Sequence, residues 1–472
     1  MRLDATFLLV GRIVSAITTV LVLAIIARTQ SADDLGVVSI GLTVSLALAV
    51  LPEAGLTALF VRESARNPER TGPLFSAMLA IRLVALPVGF VIISIIVLIA
   101  YPSVAGTIML VALGPALQQV SELGRSVFIS QQRMGVASAH TVIENIVWLA
   151  AVAIGLWAGL GIDGAFAAAA LLMTVSAVIA LGLVIVVARV PPEIPRLAEV
   201  RWLLRQVGPF ISFSTLTVVD ARMDTFLLGA LLPQGLAVAG IYYATTRLVG
   251  VAEYLPDAVS RAIFPRMSRD AAVDPAWATA TLATATKELL TLGIAIPFGF
   301  ALVGSWLLGV LYGPTFAGYA WLMVAFGLAM PFRYVGLIFG VALTGAGLQT
   351  RRTRALAIAV AVSLVLNLAL IPTIGVIGAL IAVVTSWAIY CVLLVVDVRR
   401  IFGQVLWLRD VAYAVGLALV AFVAGLAVRT ILGGRLGDPL AGLVFAGIFL
   451  LGMFGPALRG RLASIRKQEP GR

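Results

Sequence analysis

Charged side chains recur inside segments of the chain that are otherwise apolar enough to cross a membrane. The clearest case is the segment 213–269, where we expect two apolar helices joined by a short turn at 233–236. Its charged residues include Asp220, Arg222, Asp224, Arg247, Glu253 and Asp257. A charge near the bilayer centre costs about 3 kcal/mol on insertion scales, so such residues normally face a protein interior or a watery cavity. The segment therefore indicates a protein-lined pathway through a membrane.

Several arginines are expected inside membrane-crossing helices. Arginine presents a rigid fork of donors that suits the oxygens of a phosphate or pyrophosphate group. The candidates for binding such a head group are Arg12, Arg82, Arg222, Arg247 and Arg333. The alternative is that each arginine is neutralised by a nearby acid, and enough acids occur in the same segments to allow it. Arg12 and Arg247 lie well inside their helices and are the first choices for contact with a substrate.

Some carboxylates in the same segments could hold a coupling ion or could pair with these arginines. They are Glu53, Glu144, Asp220 and Asp224. Asp220 and Asp224 are four residues apart and share a helix face. Pairing with arginines on neighbouring helices is favoured for them over an ion site. Glu253 and Asp257 also share a face, but they lie nearer the cytoplasmic end, where solvation is expected.

Composition excludes most enzyme classes. The chain has 472 residues, of which 61% are hydrophobic and 12% charged, and its mean hydropathy is +1.09. A soluble protein could not hide so much apolar surface, so a polytopic membrane protein is predicted. Cys391 and His140 are the only residues of their types. We therefore expect no metal centre, and the sequence shows no phosphate-binding GxxxxGK[ST] loop and no nucleophile–base pair. No catalytic or cofactor site is predicted.

A membrane-spanning helix needs about 20 mostly apolar residues. The sequence predicts fourteen such segments, at 6–28, 36–60, 74–100, 104–128, 137–159, 164–188, 207–231, 238–262, 287–311, 318–345, 355–373, 376–397, 410–429 and 438–458. If the N-terminus lies in the cytoplasm, most loop arginines and lysines fall on the cytoplasmic side. Both termini are then cytoplasmic, and the net charge of +11 is a topology signal. A nucleic-acid partner is not expected.

Short motifs recur in the same order in the two halves of the chain. The pairs are Gly36 and Gly240 in hairpin turns, Tyr101 and Tyr312 at helix ends, and the Gly-x-x-Gly-Ala segments 161–165 and 375–379. Such repeats predict two six-helix lobes related by a pseudo-two-fold axis along the membrane normal, followed by two extra helices.

The predicted organisation follows from these repeats. It comprises an N-lobe at 1–190, a cytoplasmic linker at 191–206, a C-lobe at 207–400, and a final part at 401–472 with two helices and a basic tail. The end of the linker is expected to form an amphipathic helix at the membrane interface.

Several segments are similar to those of bacterial polysaccharide flippases. IIARTQSADDLGVVSIGLTVS (25–45) resembles their first helix–turn–helix, and PEAGLTALFVRESAR (52–66) resembles an acid-x-Gly-Leu segment in which Glu53 replaces the usual Asp. Further matching segments are DARMDTFLLGALL (220–232), AGIYYATTRL (239–248), FPRMSR (264–269), LYGPTF (311–316) and NLALIPTIGVIGALIA (367–382). The chain thus resembles the polysaccharide transport branch, with its Wzx-type flippases, of the multidrug/oligosaccharidyl-lipid/polysaccharide exporter superfamily.

This resemblance implies two six-helix lobes around a central cavity in the bacterial cytoplasmic membrane. It implies that an undecaprenyl-pyrophosphate-linked oligosaccharide moves from the inner to the outer leaflet by alternating access, for polysaccharide, O-antigen or capsule synthesis. Some members are coupled to an ion gradient, here of protons or sodium, and polymerase and ligase machinery would be partners. Sibling lipid II flippases use cavity arginines for the pyrophosphate, and Arg12 and Arg247 are the positions that correspond to that role.

Two alternatives stay open at this point. A multidrug antiporter of the same superfamily would favour a dominant acidic centre in its cavity. A membrane scaffold for glycan assembly that transports nothing would tolerate the loss of single cavity arginines.

Overall fold

The computed structural model describes residues 2–53, 55–191, 193–270 and 274–468. Within these ranges the description covers the backbone but not the side chains of residues 2–9, 12, 51–52, 207–210, 261, 265, 270, 434–435 and 455–468. The secondary structure of the described residues is entirely helical, with α-helices and short 3₁₀ helices. Helices are expected here because a chain in a bilayer must satisfy its backbone hydrogen bonds internally.

The chain divides by its contacts into two compact units, Met1–Ala244 and Thr245–Arg472. Helices of the first unit are α1 (Arg2–Thr29), α2 (Ala32–Glu53), α3 (Leu56–Arg66), α4 (Thr71–Ala100), α5 (Ala105–Ser130), α6 (Met134–Trp157), α7 (Gly161–Val186) and α8 (Leu197–Leu231). Helix α9 (Gly235–Gly250) crosses the boundary. The lobe boundaries drawn from the sequence repeats stay a prediction.

The second unit continues after α9 with a 3₁₀ turn at Val251–Glu253. Its further helices are α10 (Tyr254–Asp270), α11 (Pro275–Tyr312), α12 (Ala320–Gly327), α13 (Met330–Gly345), α14 (Gln349–Ile374), α15 (Val376–Phe402), α16 (Leu408–Leu432) and α17 (Gly434–Gln468). Other 3₁₀ turns are Pro68–Arg70 and Pro314–Tyr319.

The prediction of an all-helical polytopic membrane protein is confirmed. In the described residues, 10 helices are long and apolar enough to cross a membrane, and 11 if the bent pair Pro314–Gly327 and Met330–Gly345 is one span. Each of the fourteen predicted segments coincides with helix, but α5 and α8 are not among the helices found long and apolar enough, and α1 contributes only the shorter stretch Ile13–Thr29. The number of fourteen spans therefore stays a prediction.

Besides the bent pair, two further predicted segments are interrupted. In the segment at 36–60 the interruption is at Gly55, whose φ of 81° lies in the left-handed region that glycine adopts at little cost. The segment at 238–262 is interrupted by the 3₁₀ turn at Val251–Glu253. Broken helices at membrane depth are tolerated where the freed backbone groups find partners in the protein or line a cavity.

The end of the predicted linker belongs to α8, which runs without interruption from Leu197 to Leu231. Leu203 is fully buried in an apolar cluster of the first unit, and Arg70 pairs with Glu199 at 2.7 Å. The guanidinium of Arg70 also lies 5.0 Å from the ring centroid of Trp202. The first turns of α8 are thus helical and packed on the protein, while their position at the membrane interface stays a prediction.

The sequence repeat is visible in local backbone geometry. Gly161 precedes the body of α7 with a φ of 66°, and Gly375 precedes α15 with a φ of 61°. Both values lie in the left-handed region, so the two Gly-x-x-Gly-Ala segments start their helices in the same way.

Candidate functional site

A cavity of about 340 Å³ lies in the second unit beside the helix break. It is lined by Arg247, Gly250, Glu253, Tyr254, Pro256, Asp257, Arg333, Tyr334, Leu337 and Trp387. These residues come from the end of α9, the 3₁₀ turn, the start of α10, and α13 and α15. Such a mixture of charged and aromatic side chains in membrane-crossing helices fits a binding site for a polar group.

The break in the helix is held by a side chain from α13. The hydroxyl of Tyr334 donates to the carbonyl oxygen of Ala252 at 2.5 Å, which satisfies a backbone group that a continuous helix would have paired. This bond fixes the turn that presents Glu253 and Tyr254 to the cavity.

Arg333 is held on two sides within the cavity wall. Its Nη2 atom lies 2.7 Å from a carboxylate oxygen of Glu253, and its guanidinium carbon lies 4.4 Å from the ring centroid of Trp387. The side chain of Glu253 is 34% exposed and that of Arg333 is 16% exposed. Glu253, for which solvation was expected, is thus partly exposed and also paired, and Arg333 adopts the ion-pair alternative while still lining the cavity.

Arg247 differs from Arg333 in its surroundings. It lines the same cavity, yet its guanidinium makes no hydrogen bond or ion pair with the part of the chain that the structure describes. An unpaired arginine in a membrane helix is costly unless water or a ligand reaches it. Of the arginines singled out from sequence, Arg247 is thus placed to meet an anionic group in a cavity.

Arg82 is paired and completely enclosed in the first unit. One of its nitrogens, Nη2, donates to Glu53 at 2.8 Å and to the hydroxyl of Thr57 at 2.8 Å, and its side chain is 0% exposed. Its Nε and Nη1 atoms find no hydrogen-bond partner among the described residues. The structure favours the ion-pair alternative for Arg82 and Glu53.

A second buried cluster joins α5, α6 and α7. Arg125 contacts Glu144 at 2.5 Å and Glu122 at 2.7 Å, and Ser176 donates to Glu144 at 3.0 Å. The side chain of Glu144 is 1% exposed. Arg125 lies near the C-terminal end of α5 and is nevertheless buried, with two carboxylates that neutralise its charge. A coupling role for Glu144 stays a prediction.

Charged side chains of α8 contact aromatic residues of α9. Asp224 is buried and accepts a hydrogen bond from the hydroxyl of Tyr242 at 2.5 Å, while Asp220 is half-buried. Arg222 lies with its guanidinium 5.0 Å from the ring centroid of Tyr243. Both the pairing of Asp220 and Asp224 with arginines and their ion-site role stay predictions.

The remaining candidate, Arg12, has its backbone in α1, but its side chain lies outside the described part of the structure. Its head-group role stays a prediction.

Sequence reasoning missed the aromatic partners of these charges. These partners are Trp387, Tyr334 and Tyr242, which lie within otherwise apolar helices. Their local sequence does not predict a polar contact. The available signal was the position of Trp387 near the middle of α15, away from the membrane interfaces where tryptophan is enriched. Among the described residues there is no cluster of three or more His, Cys, Asp or Glu that could hold a metal ion.

A polytopic helical bundle with a polar cavity between the helices of a unit defines a membrane protein of the transporter class. Within that class the chain belongs to the family described as polysaccharide biosynthesis protein, whose profile matches residues 3–270. This confirms the family that the sequence motifs indicated.

Comparisons with individual proteins agree with that family. The chain is 22% identical over 380 residues to the probable low-salt glycan biosynthesis flippase Agl15 of Haloferax volcanii, covering 78% of this chain and 77% of that protein. The structure is similar to the lipid II flippase MurJ in an inward closed conformation, with a TM-score of 0.75, 13% identity, and 96% and 98% coverage of the two chains.

The fold is also similar to a multidrug resistance MATE family transporter of the MOP superfamily in an inward-facing conformation. That TM-score is 0.66 at 14% identity, with 85% of this chain and 98% of the other covered. These relatives and neighbours are flippases and transporters by name, in keeping with the expectation that the chain is not an enzyme.

Proposed function

We propose that this protein translocates a polyprenyl-pyrophosphate-linked oligosaccharide from the inner to the outer leaflet of the bacterial cytoplasmic membrane. Family membership supports a role in polysaccharide biosynthesis, and the relative from Haloferax and the MurJ-like fold support lipid flipping. The distribution of arginine and lysine supports cytoplasmic termini. The product would pass to polymerase and ligase machinery that extends the glycan.

The observation that carries this proposal is Arg247, which lines the cavity of the second unit and makes no hydrogen bond or ion pair within the described part of the chain. Leaving a guanidinium without a counter-ion in a membrane helix costs free energy, which a phosphate group would recover by charge-assisted, bidentate hydrogen bonds. We therefore assign Arg247, together with Arg12, to the pyrophosphate of the substrate. The polar part crosses through the protein while the polyprenyl tail stays in lipid.

Movement by alternating access would be coupled to a proton or sodium gradient. Glu53 and Glu144 are engaged with Arg82 and Arg125, and Asp224 with Tyr242. A proton or sodium ion that binds one of these carboxylates must therefore compete with the present partner of that carboxylate. Coupling would then consist of replacing such a contact by the ion. Proteoliposomes with an imposed pH or sodium gradient test this: translocation that ignores both gradients would exclude coupling.

The central experiment is rescue of cells depleted of this protein by the wild type, Arg247→Ala, Arg12→Ala or Arg269→Ala at equal expression. Arg269 is an exposed arginine at the end of α10 and serves as the matched control. We expect depletion to accumulate lipid-linked glycan on the cytoplasmic leaflet, with rescue by the wild type and Arg269→Ala only. Full rescue by Arg247→Ala and Arg12→Ala would refute the arginine assignment and favour a scaffold. Drug sensitivity without glycan accumulation would instead favour the antiporter.

A further inference from the structure

Two arginines in chemically different surroundings line the cavity of the second unit. Arg247 makes no hydrogen bond or ion pair with the described residues. Arg333 is already neutralised by Glu253 at 2.7 Å, and its guanidinium lies over the ring of Trp387, 4.4 Å from the ring centroid. A phosphate at Arg333 would have to displace Glu253 or lie against its negative charge, and like charges in a low-dielectric site repel strongly. The group formed by Arg333, Glu253 and Trp387 is therefore a poor site for an anion.

The ion pair of Arg333 and Glu253 suits a neutral group with many hydroxyls. Only Nη2 of Arg333 is engaged with Glu253, so its other N–H groups can donate to hydroxyl oxygens. The carboxylate of Glu253 is 34% exposed and has further lone pairs for hydroxyl hydrogens. A sugar ring needs acceptors and donors side by side, and an ion pair supplies both without adding net charge.

Aromatic rings line the cavity together with this ion pair. The indole of Trp387 is held edge-on by Tyr390, with ring centroids 5.5 Å apart and planes at 84°, and Tyr254 is 36% exposed at the cavity. Flat apolar faces of this kind pack against the C–H face of a pyranose ring while its hydroxyls point to the polar groups. The Tyr334 hydrogen bond to Ala252 keeps Glu253 and Tyr254 in place, so the groups are pre-positioned.

We propose that the cavity is a two-part site, in which Arg247 binds phosphate and the Arg333–Glu253–Trp387 group binds a neutral sugar ring next to it. This inference rests on the proposed function and names the part of the substrate that the site selects. Small-molecule sites span roughly 300–1,000 Å³. The cavity, at about 340 Å³, is near the lower limit and fits the first sugar or two of a lipid-linked glycan.

The test compares two lipids on the purified full-length protein in nanodiscs: undecaprenyl pyrophosphate, and the same lipid carrying one N-acetylglucosamine. Equilibrium binding is measured for the wild type, Trp387→Ala, Glu253→Gln and Arg247→Ala. We expect Trp387→Ala and Glu253→Gln to weaken binding of the sugar-bearing lipid about tenfold, a change that corresponds to losing one good contact. Both should bind the sugarless lipid as the wild type does or better. Arg247→Ala should weaken binding of both lipids.

Two further variants separate a sugar site from a damaged fold. Trp387→Phe keeps an aromatic face and should retain most of the preference for the sugar-bearing lipid. Trp321→Ala removes a 46% exposed tryptophan of α12 outside the cavity and should change nothing. Equal weakening of both lipids by Trp387→Ala, or no effect on either, would overturn the sugar site while leaving flipping intact. A wild type that binds neither lipid would overturn the proposed function as well.

Discussion

Gly36, near the start of α2, and Gly240, in the middle of α9, meet backbone to backbone. A Cβ atom on Gly240 would lie 2.6 Å from the amide nitrogen of Gly36, and one on Gly36 would overlap the backbone of Leu236. The sequence repeat placed these two glycines in corresponding hairpin turns, and that placement is wrong, because both lie inside helices. Their role is close helix contact, which any larger side chain would prevent.

We expect Gly240→Ala to destabilise the protein by about 1–3 kcal/mol, because the added methyl group has no space and the helices must separate. The measurement is the apparent melting temperature of the purified protein in detergent. Gly182→Ala is the matched control, since a Cβ at Gly182 in α7 meets nothing within 4 Å. Equal melting temperatures of the two variants would show that the contact does not limit stability.

The ion pair between Arg82 and Glu53 should respond asymmetrically to mutation. Glu53→Gln leaves a guanidinium that is 0% exposed without a counter-ion, at a cost of about 3–5 kcal/mol. Arg82→Met leaves a carboxylate that is 38% exposed and removes two nitrogens that already lack partners among the described residues. We therefore expect Glu53→Gln to lower the melting temperature more than Arg82→Met does. The reverse order would contradict burial of the guanidinium.

Tyr242→Phe tests the contact between α9 and α8. It removes the hydroxyl that donates to the buried carboxylate of Asp224, and hydrogen bonds to charged groups contribute about 1.5–3 kcal/mol. A clear loss of thermal stability is expected. Tyr319→Phe, at a residue that is 38% exposed, removes the same hydroxyl from a solvent-accessible position and should leave the melting temperature unchanged. A comparable loss in both variants would argue against a specific bond to Asp224.

Arg333→Lys separates charge from stacking in the cavity. Lysine preserves the positive charge opposite Glu253 but lacks the planar guanidinium that lies over Trp387. We expect glycan-lipid translocation in proteoliposomes to fall several-fold with little change in stability. Arg409→Lys is the control, because Arg409 lies 5.2 Å from the ring of Trp407 outside the cavity. Unchanged translocation in Arg333→Lys would mean that charge alone suffices there.

The sequence by itself determined the class of protein, the position of its helices and the family. Hydropathy is sufficient for the class and the helices, because a chain in a bilayer must satisfy each backbone group within its own helix. The family followed from the sequence motifs. Helix breaks at Gly55 and at Val251–Glu253 were not foreseen, since both interrupt segments that are apolar enough to continue. The repeat of Gly161 and Gly375 was readable because a left-handed backbone restricts the residue type.

Only the tertiary structure decided which charges meet. Arg82, Arg125 and Arg333 each pair with a carboxylate on another helix, 29, 19 and 80 residues away along the chain, and the sequence does not specify how those helices are rotated. Spacing along one helix shows which side chains share a face, but pairing between helices depends on how they pack. That packing encloses Arg82, leaves Arg247 in a cavity with no hydrogen bond or ion pair to the described residues, and sets Arg333 between a carboxylate and an indole.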